Sequence, residues 1–168
     1  ASSGIGYGCA GTLAAAGAAV AINYNRNAEP AVQLAQQITA NGGQAIALAG
    51  DVAKESDVER LFQQTVDRFG GLDILVANSG LQRDAAIAEM TLEQWNTVIA
   101  VNLTGQFLCA RAAVRQFRQQ GERPSAGRAR GKIIHMSSVH QLIPWAGHVN
   151  YAASKGGIDL LMRSLAQE

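Results

Sequence analysis

Apolar positions along the chain fall into two alternating kinds of block, and that alternation predicts a fold class. From Gly4 to about Ala16, small and apolar residues recur at helical spacing until Gly17 breaks the run. Residues 18–24 (AAVAINY) form a short apolar block that predicts a buried strand, followed by a polar turn at 25–27. A helix is predicted over 29–40, with Val32, Leu34, Ala35 and Ile38 apolar, closed by Asn41-Gly42-Gly43. Residues 44–49 (QAIALA) predict a second strand. Residues 56–69 place Val58, Leu61, Phe62, Val66 and Phe69 on one face of an amphipathic helix that Gly70-Gly71 ends. A third strand is predicted over 72–77 (LDILVA). Thr91, with Gln94 three residues on, predicts a capping box. A long helix over 101–119, a polar loop over 121–131, a fourth strand over 132–136 (KIIHM) and a final helix over 149–168 complete the pattern.

Short apolar strands alternating with helices imply a parallel sheet covered on both faces. Right-handed crossovers make this a doubly wound, Rossmann-like, three-layer α/β/α domain over residues 1–168. No fixed-period repeat or low-complexity tract divides it.

Composition narrows the classes without changing the fold. With 48% hydrophobic and 16% charged residues the chain is globular in type. The 18 glycines lack a collagen period. No apolar run in the sequence approaches bilayer-spanning length, so no membrane partner is expected. Cys9 and Cys109 are too few for a disulfide framework, and they read as small core residues in a reducing, cytoplasmic setting. A net charge of +1 gives no global attraction to nucleic acid. Arg111, Arg115, Arg118, Arg123, Arg128, Arg130 and Lys132 face one acid, Glu122. They read as the solvated face of a helix followed by a basic loop.

Candidate chemistry clusters where the predicted strands end. Ser2-Ser3-Gly4-Ile5-Gly6 opens the first helix, and a glycine-rich helix start lets backbone N–H groups approach a phosphate. Tyr151 and Lys155 lie four apart, on one helical face. A free phenol ionises near pH 10, so a neutral-pH base needs about 4 kcal/mol of help, part of which a Lys ammonium one turn away supplies. Ser137 and Ser138 follow the strand KIIHM, where a hydroxyl can hold a substrate oxygen. Asn102, after Val101, reads either as a helix cap or as a bridge through water to Lys155. Asp51-Val52 and Asn78-Ser79-Gly80 end the second and third strands. His140, two residues after Ser138, has no Gly-x-Ser-x-Gly elbow to support a serine hydrolase. His135, His140 and His148 lack a metal-ligand spacing, so no metal is expected.

Together these residues resemble the short-chain dehydrogenase/reductase family. Ser2 to Gly6 match the latter part of its Thr-Gly-x-x-x-Gly-x-Gly cofactor loop, and Asp51-Val52 match the pair that holds adenine. Ala77-Asn78-Ser79-Gly80 match Asn-Asn-Ala-Gly with two substitutions. Asn102, Ser138, Tyr151 and Lys155 match the catalytic tetrad in order and spacing. Residues 136–145 and 149–157 resemble the glucose 1-dehydrogenase branch. The resemblance implies hydride transfer between NAD or NADP and an alcohol or carbonyl. Tyr151 would move the substrate proton, Ser138 orient the hydroxyl, Lys155 hold the nicotinamide ribose and Asn102 fix a water. It also implies a homo-oligomer, dimer or tetramer, formed through the long helices. The family's first strand and first loop glycine would precede Ala1 and further strands would follow Glu168, so the chain is expected to be incomplete at both ends and inactive alone.

Where NAD-preferring members carry an acid at the end of the second strand, this chain has Tyr24, then Asn25 and Arg26. An Arg suits a 2′-phosphate, so NADP is the expected cofactor and NAD the alternative. Two other activities stay open: reduction of a ketone or a 3-oxoacyl carrier on the same scaffold, and a non-catalytic dinucleotide-binding redox sensor.

Overall fold

The structure is a computed structural model that describes residues 3–123 and 129–168. Helix α1 (Gly4–Ala15) leads into β1 (Ala19–Tyr24), and α2 (Glu29–Ala40) carries the chain back to β2 (Gln44–Ala49). β1 and β2 pair in parallel, Ala19 opposite Gln44 and Tyr24 opposite Ala49. Next come α3 (Glu55–Phe69), β3 (Ile74–Ala77), α4 (Leu92–Ile99), a π-helical turn (Ala100–Thr104), α5 (Gly105–Gln120) and β4 (Lys132–His135). β3 and β4 also pair in parallel, Ile74 opposite Lys132 and Ala77 opposite His135. A 3-10 turn (Val139–Gln141) and α6 (Val149–Leu165) follow.

The parallel α/β architecture agrees with the sequence reading, but the single expected sheet does not form. Among the described residues there are two two-stranded sheets, β1–β2 and β3–β4. Residues of β1 and β3 line a common cavity of about 550 Å³, walled by apolar side chains of α1, α3 and α5 such as Leu13, Phe62 and Cys109.

Small residues one turn apart on α1, Gly6, Ala10 and Ala14, are buried. Ala10 and Ala14 pack with Ile22 of β1 and with Ala31, Leu34, Ala35 and Ile38 of α2. Ile22 is fully buried, which is worth about 2–3 kcal/mol of apolar transfer. A second cluster joins Val58 of α3 to Leu108 and Cys109 of α5. Burial pushes the Cys109 thiol up to about 11, which agrees with a core role for that residue. Gly70 ends α3 at φ 76°, the left-handed cap that a residue without a Cβ adopts cheaply.

Element boundaries shift where side chains compete for the backbone. β3 starts at Ile74 because the Gln120 side chain takes both polar groups of Leu72. Its Oε1 accepts from Leu72 N–H at 3.0 Å and its Nε2 donates to Leu72 C=O. The predicted capping box is present: Gln94 N–H donates to Thr91 Oγ1 at 3.1 Å, and Thr91 N–H to Gln94 Oε1 at 2.8 Å.

The largest correction concerns the predicted helix start at Val101. Helix runs from Leu92 to Gln120, 29 residues, with the π turn inside it. By length and composition it could cross a bilayer, contrary to the expectation that no run comes near that length. Its apolar positions serve packing against α3, α6 and β3.

Of the basic residues over 111–132, Arg111 pairs with Glu55, and Arg123 bonds Asp73 at 2.8 Å and the Gly70 carbonyl at 2.9 Å. Arg128 lies outside the described residues.

Candidate active site

The π turn explains where Asn102 points. One extra residue in a helical turn breaks the regular ladder and re-aims the side chains around it. Asn102 is 0% exposed and sits mid-helix, so it is no cap. Its Oδ1 accepts from Leu81 N–H at 2.8 Å. Its Nδ2 donates to Leu81 C=O at 2.9 Å and to Ser154 Oγ at 3.1 Å. The amide therefore clamps the loop that follows β3 onto α6.

α6 carries the rest of the cluster. Lys155 is 3% exposed, and its Nζ donates to the Met136 carbonyl at 2.8 Å. The same Nζ lies 5.5 Å from the centroid of the Tyr151 ring, one turn earlier. Burial pushes the Lys155 ammonium down from its ordinary range. Ser137 Oγ donates to the Lys155 carbonyl at 3.1 Å. Ser138 caps the 3-10 turn, its Oγ accepting from His140 N–H at 3.2 Å, so its own proton is free to go elsewhere. The His140 ring stands edge-on to Tyr151, centroids 6.4 Å apart, and stacks on Trp145 at 4.4 Å.

Three buried polar residues of this cluster escaped the sequence reading. Ser154 Oγ donates to the Tyr151 carbonyl at 2.7 Å, and Asn150 Nδ2 to the Arg83 carbonyl at 2.8 Å. Gln106 Nε2 donates to the Met136 carbonyl at 3.2 Å. Ser154 had a signal, since it sits inside Tyr-Ala-Ala-Ser-Lys, one turn after Tyr151. Asn150 and Gln106 had none, because nothing in their local pattern marks burial.

Of the expected cofactor residues, Tyr24 to Arg26, Asp51 and Val52, and Asn78 to Gly80 lie at or just past the carboxyl ends of β1, β2 and β3. Ser2 lies outside the described residues. Ser3 makes no side-chain cap to α1, and Gly4 opens the helix at φ 56°, which leaves its first N–H groups for another acceptor. Gly6, Val52, Asn78 and Ser79 line the 550 Å³ cavity. Ser3, Gly4, Ile5, Tyr24, Asn25, Arg26, Asp51, Gly80 and Val101 do not line it. Asn25 and Arg26 are exposed. Asp51 Oδ1 accepts from Ala53 N–H at 3.1 Å, and Asp51 N–H donates to Asp57 Oδ2 at 2.9 Å. A Cβ on Gly105 would come 2.9 Å from Val52 Cγ2, so that close approach requires glycine. Gly80 lies against Asn102 and Lys155, where an added Cβ would meet them at 3.5 and 3.7 Å. Val101 lies in the π turn, half-buried.

Parallel strands joined by crossover helices, a glycine-opened helix and a buried Asn–Ser–Lys cluster beside a tyrosine place the chain in the Rossmann-like α/β class. The family described as short chain dehydrogenase matches residues 1–168. A 3-oxoacyl-[acyl-carrier-protein] reductase from Synechocystis sp. is 38% identical over 168 residues, all of this chain and 65% of that protein. A gluconate 5-dehydrogenase from Burkholderia cenocepacia J2315, solved with NADP and tartrate, superposes with a TM-score of 0.87 at 34% identity. The match covers 99% of this chain and 62% of that one. A Serratia marcescens short-chain dehydrogenase/reductase, solved as a mutant, gives a TM-score of 0.88 at 32% identity, over 99% of this chain and 64% of that one. The chain belongs to the short-chain dehydrogenase family, and it spans about two thirds of the length of these relatives.

Proposed function

We propose that this protein is an NAD(P)-dependent oxidoreductase acting on an alcohol or carbonyl carbon, with Asn102, Ser138, Tyr151 and Lys155 as its working residues. The observation that carries the reading is the buried Lys155 ammonium 5.5 Å from the Tyr151 ring, beside the end of β4 where Ser138 sits. That places a positive charge over the face of the Tyr151 ring.

The residues present fit a dinucleotide in two respects: the uncapped start of α1 offers N–H donors to a pyrophosphate, and Asp51, Val52, Asn78 and Ser79 lie just beyond the ends of β2 and β3. When bound, the nicotinamide supplies or takes the hydride. Ser138 donates its free proton to the substrate oxygen and orients it. Tyr151 takes that oxygen's proton in oxidation and returns it in reduction. Lys155 stabilises the phenolate. Asn102 has its amide committed to Leu81 and Ser154, which fixes the loop after β3 beside α6.

The resemblance over 136–157 favours oxidation of a sugar in the manner of glucose 1-dehydrogenase. The reductase from Synechocystis supports the alternative, reduction of a carbonyl or 3-oxoacyl carrier substrate. NADP is the favoured cofactor because Arg26 stands exposed beyond β1 with no acid at Tyr24 or Asn25. A cytoplasmic setting fits the free Cys9 and Cys109. Pairing of copies through α5 and α6 fits the exposure of Phe107, Leu160 and Met162, and sedimentation tests it.

The deciding experiment is a turnover screen of the protein expressed from its complete reading frame, pairing NAD and NADP with glucose, other sugars, simple alcohols, ketones and a 3-oxoacyl thioester. Tyr151→Phe separates enzyme from redox sensor. It abolishes turnover and keeps cofactor binding if the reading holds, whereas a sensor shows no turnover to lose.

A further inference from the structure

Behind Lys155 lies a second buried polar chain that the mechanism above does not use. Gln106, 2% exposed, is the second residue of α5. Its Nε2 lies 3.2 Å from the Met136 carbonyl, and its Oε1 lies 2.7 Å from Nδ1 of His135 on β4. The Met136 carbonyl also accepts from Lys155 Nζ, at 2.8 Å.

The donor and acceptor roles follow from one fixed point. A carbonyl oxygen can only accept, so Gln106 must turn its NH₂ toward Met136 and its oxygen toward His135. His135 Nδ1 must then carry the ring proton. That leaves His135 Nε2 as a lone pair, and it is the buried side-chain nitrogen or oxygen without a partner among the described residues. An orphaned buried atom calls for a reason. Here the reason is that the other nitrogen is needed to orient Gln106. The half-buried setting of His135 lowers its pKa and favours the neutral ring. The charged groups around it are Arg118, Arg130 and Glu168, which share a cavity of about 440 Å³ with it, and Lys155 across the Met136 carbonyl.

We infer that Gln106, held in orientation by His135, is a positioning residue: it shares the Met136 carbonyl with Lys155, drawing on the same oxygen, and so sets how tightly that carbonyl holds the ammonium beside Tyr151. The inference rests on the oxidoreductase reading of the site. A carbonyl has two lone pairs, and both have donors here. The His135 proton polarises the Gln106 amide and strengthens its donation, since hydrogen bonds in a chain reinforce one another. Without Gln106 the ammonium has the carbonyl to itself and is held more tightly there, at the phenol's expense.

The test uses the protein from its complete reading frame and two readouts. One is an ultraviolet phenolate titration, taken as the difference between each variant and the same variant carrying Tyr151→Phe. The other is the pH profile of kcat/KM for oxidation. His140 and Lys155 are the titratable groups against the Tyr151 ring. Gln106→Met keeps the volume and removes both polar atoms. It should move the phenolate midpoint and the acidic limb up by roughly 0.5 to 1 pH unit, and lower kcat/KM at neutral pH about three- to ten-fold. His135→Leu should reproduce this, while His135→Asn, which keeps a donor for Gln106, should restore the wild-type midpoint. Folded variants with an unmoved midpoint overturn the inference. So does His135→Asn behaving as His135→Leu, or unfolding of all three variants, either of which makes the chain purely structural. If the wild type binds no nicotinamide cofactor and turns nothing over, the functional reading fails, and the phenolate titration still decides the coupling of Gln106 to Lys155.

Discussion

The two halves of this molecule both bury apolar side chains but differ in the polar groups they bury with them. Residues from α1 to β2 rest on apolar contact, with Ile22, Leu34 and Ile38 packed against alanines of α1 and α2. Their candidate cofactor groups, Ile5, Asn25 and Arg26, stand exposed. Residues from β3 to α6 bury, beside apolar side chains such as Leu108 and Ile158, the polar groups Asn102, Gln106, Asn150, Ser154 and Lys155, and each of these has hydrogen-bond partners. The contrast teaches that the candidate cofactor residues at the end of β1 face solvent, while the candidate residues around α6 sit in a buried hydrogen-bond network. Apolar packing is non-directional and tolerates repacking. A buried hydrogen-bond network fixes orientation, and it is costly to leave half-satisfied.

The sharpest break of that contrast is at Lys155. Lys155→Met, tested in the protein from its complete reading frame, should lower kcat by about 10²- to 10⁴-fold, measured as hydride transfer at saturating cofactor. A loss below tenfold would show that the buried ammonium is structural. Next in size, Asn102→Ala leaves both polar groups of Leu81 without their partner. It should cost about 3 kcal/mol in urea unfolding and lower turnover as well. Ile22→Ala should cost a similar amount, about 3 kcal/mol, yet leave kcat per folded molecule within about twofold. If both variants affect kcat equally, the two halves are not distinct in the way described.

Smaller effects refine the picture. Arg26→Glu should raise KM for NADP by about tenfold or more and change KM for NAD little, because a carboxylate repels a 2′-phosphate. The smallest expected effect is on pH. Burial lowers the His135 pKa below 6.5, so between the folded and unfolded values the unfolded state binds more protons. The stability that His135 contributes is therefore complete above pH 6.5 and is lost as the pH falls through the lower, folded-state value. Thermal melts from about pH 7.5 down to about 5 should fall more steeply in wild type than in His135→Asn. Parallel curves would count against the burial argument.

Some of this was legible from sequence and some was not, for identifiable reasons. The helix over 29–40 and the strand over 44–49 are found as read, since their periodicity and end signals are local. Tyr151 and Lys155 were read from their four-residue spacing, which the structure turns into an ammonium 5.5 Å from the ring centroid, while Asn102 and Ser138 were read through the family resemblance. The helix start read at Val101 was wrong because a π turn inside a long helix leaves no mark in the hydrophobic pattern. The third strand was read two residues too long because Leu72 is apolar, while a side chain 48 positions away takes its backbone groups.

The sequence by itself determined the parallel α/β class, the order of elements and the family its motifs belong to, because periodicity, caps and motif spacing are properties of neighbours in the chain. Only the tertiary structure decided that Asn102 spends its amide on Leu81 and Ser154, that Lys155 shares the Met136 carbonyl with Gln106, and that the sheet is divided between β1 and β3. Each of these depends on groups distant in sequence competing for the same hydrogen-bond partner or the same space, and that competition exists only once the chain has folded.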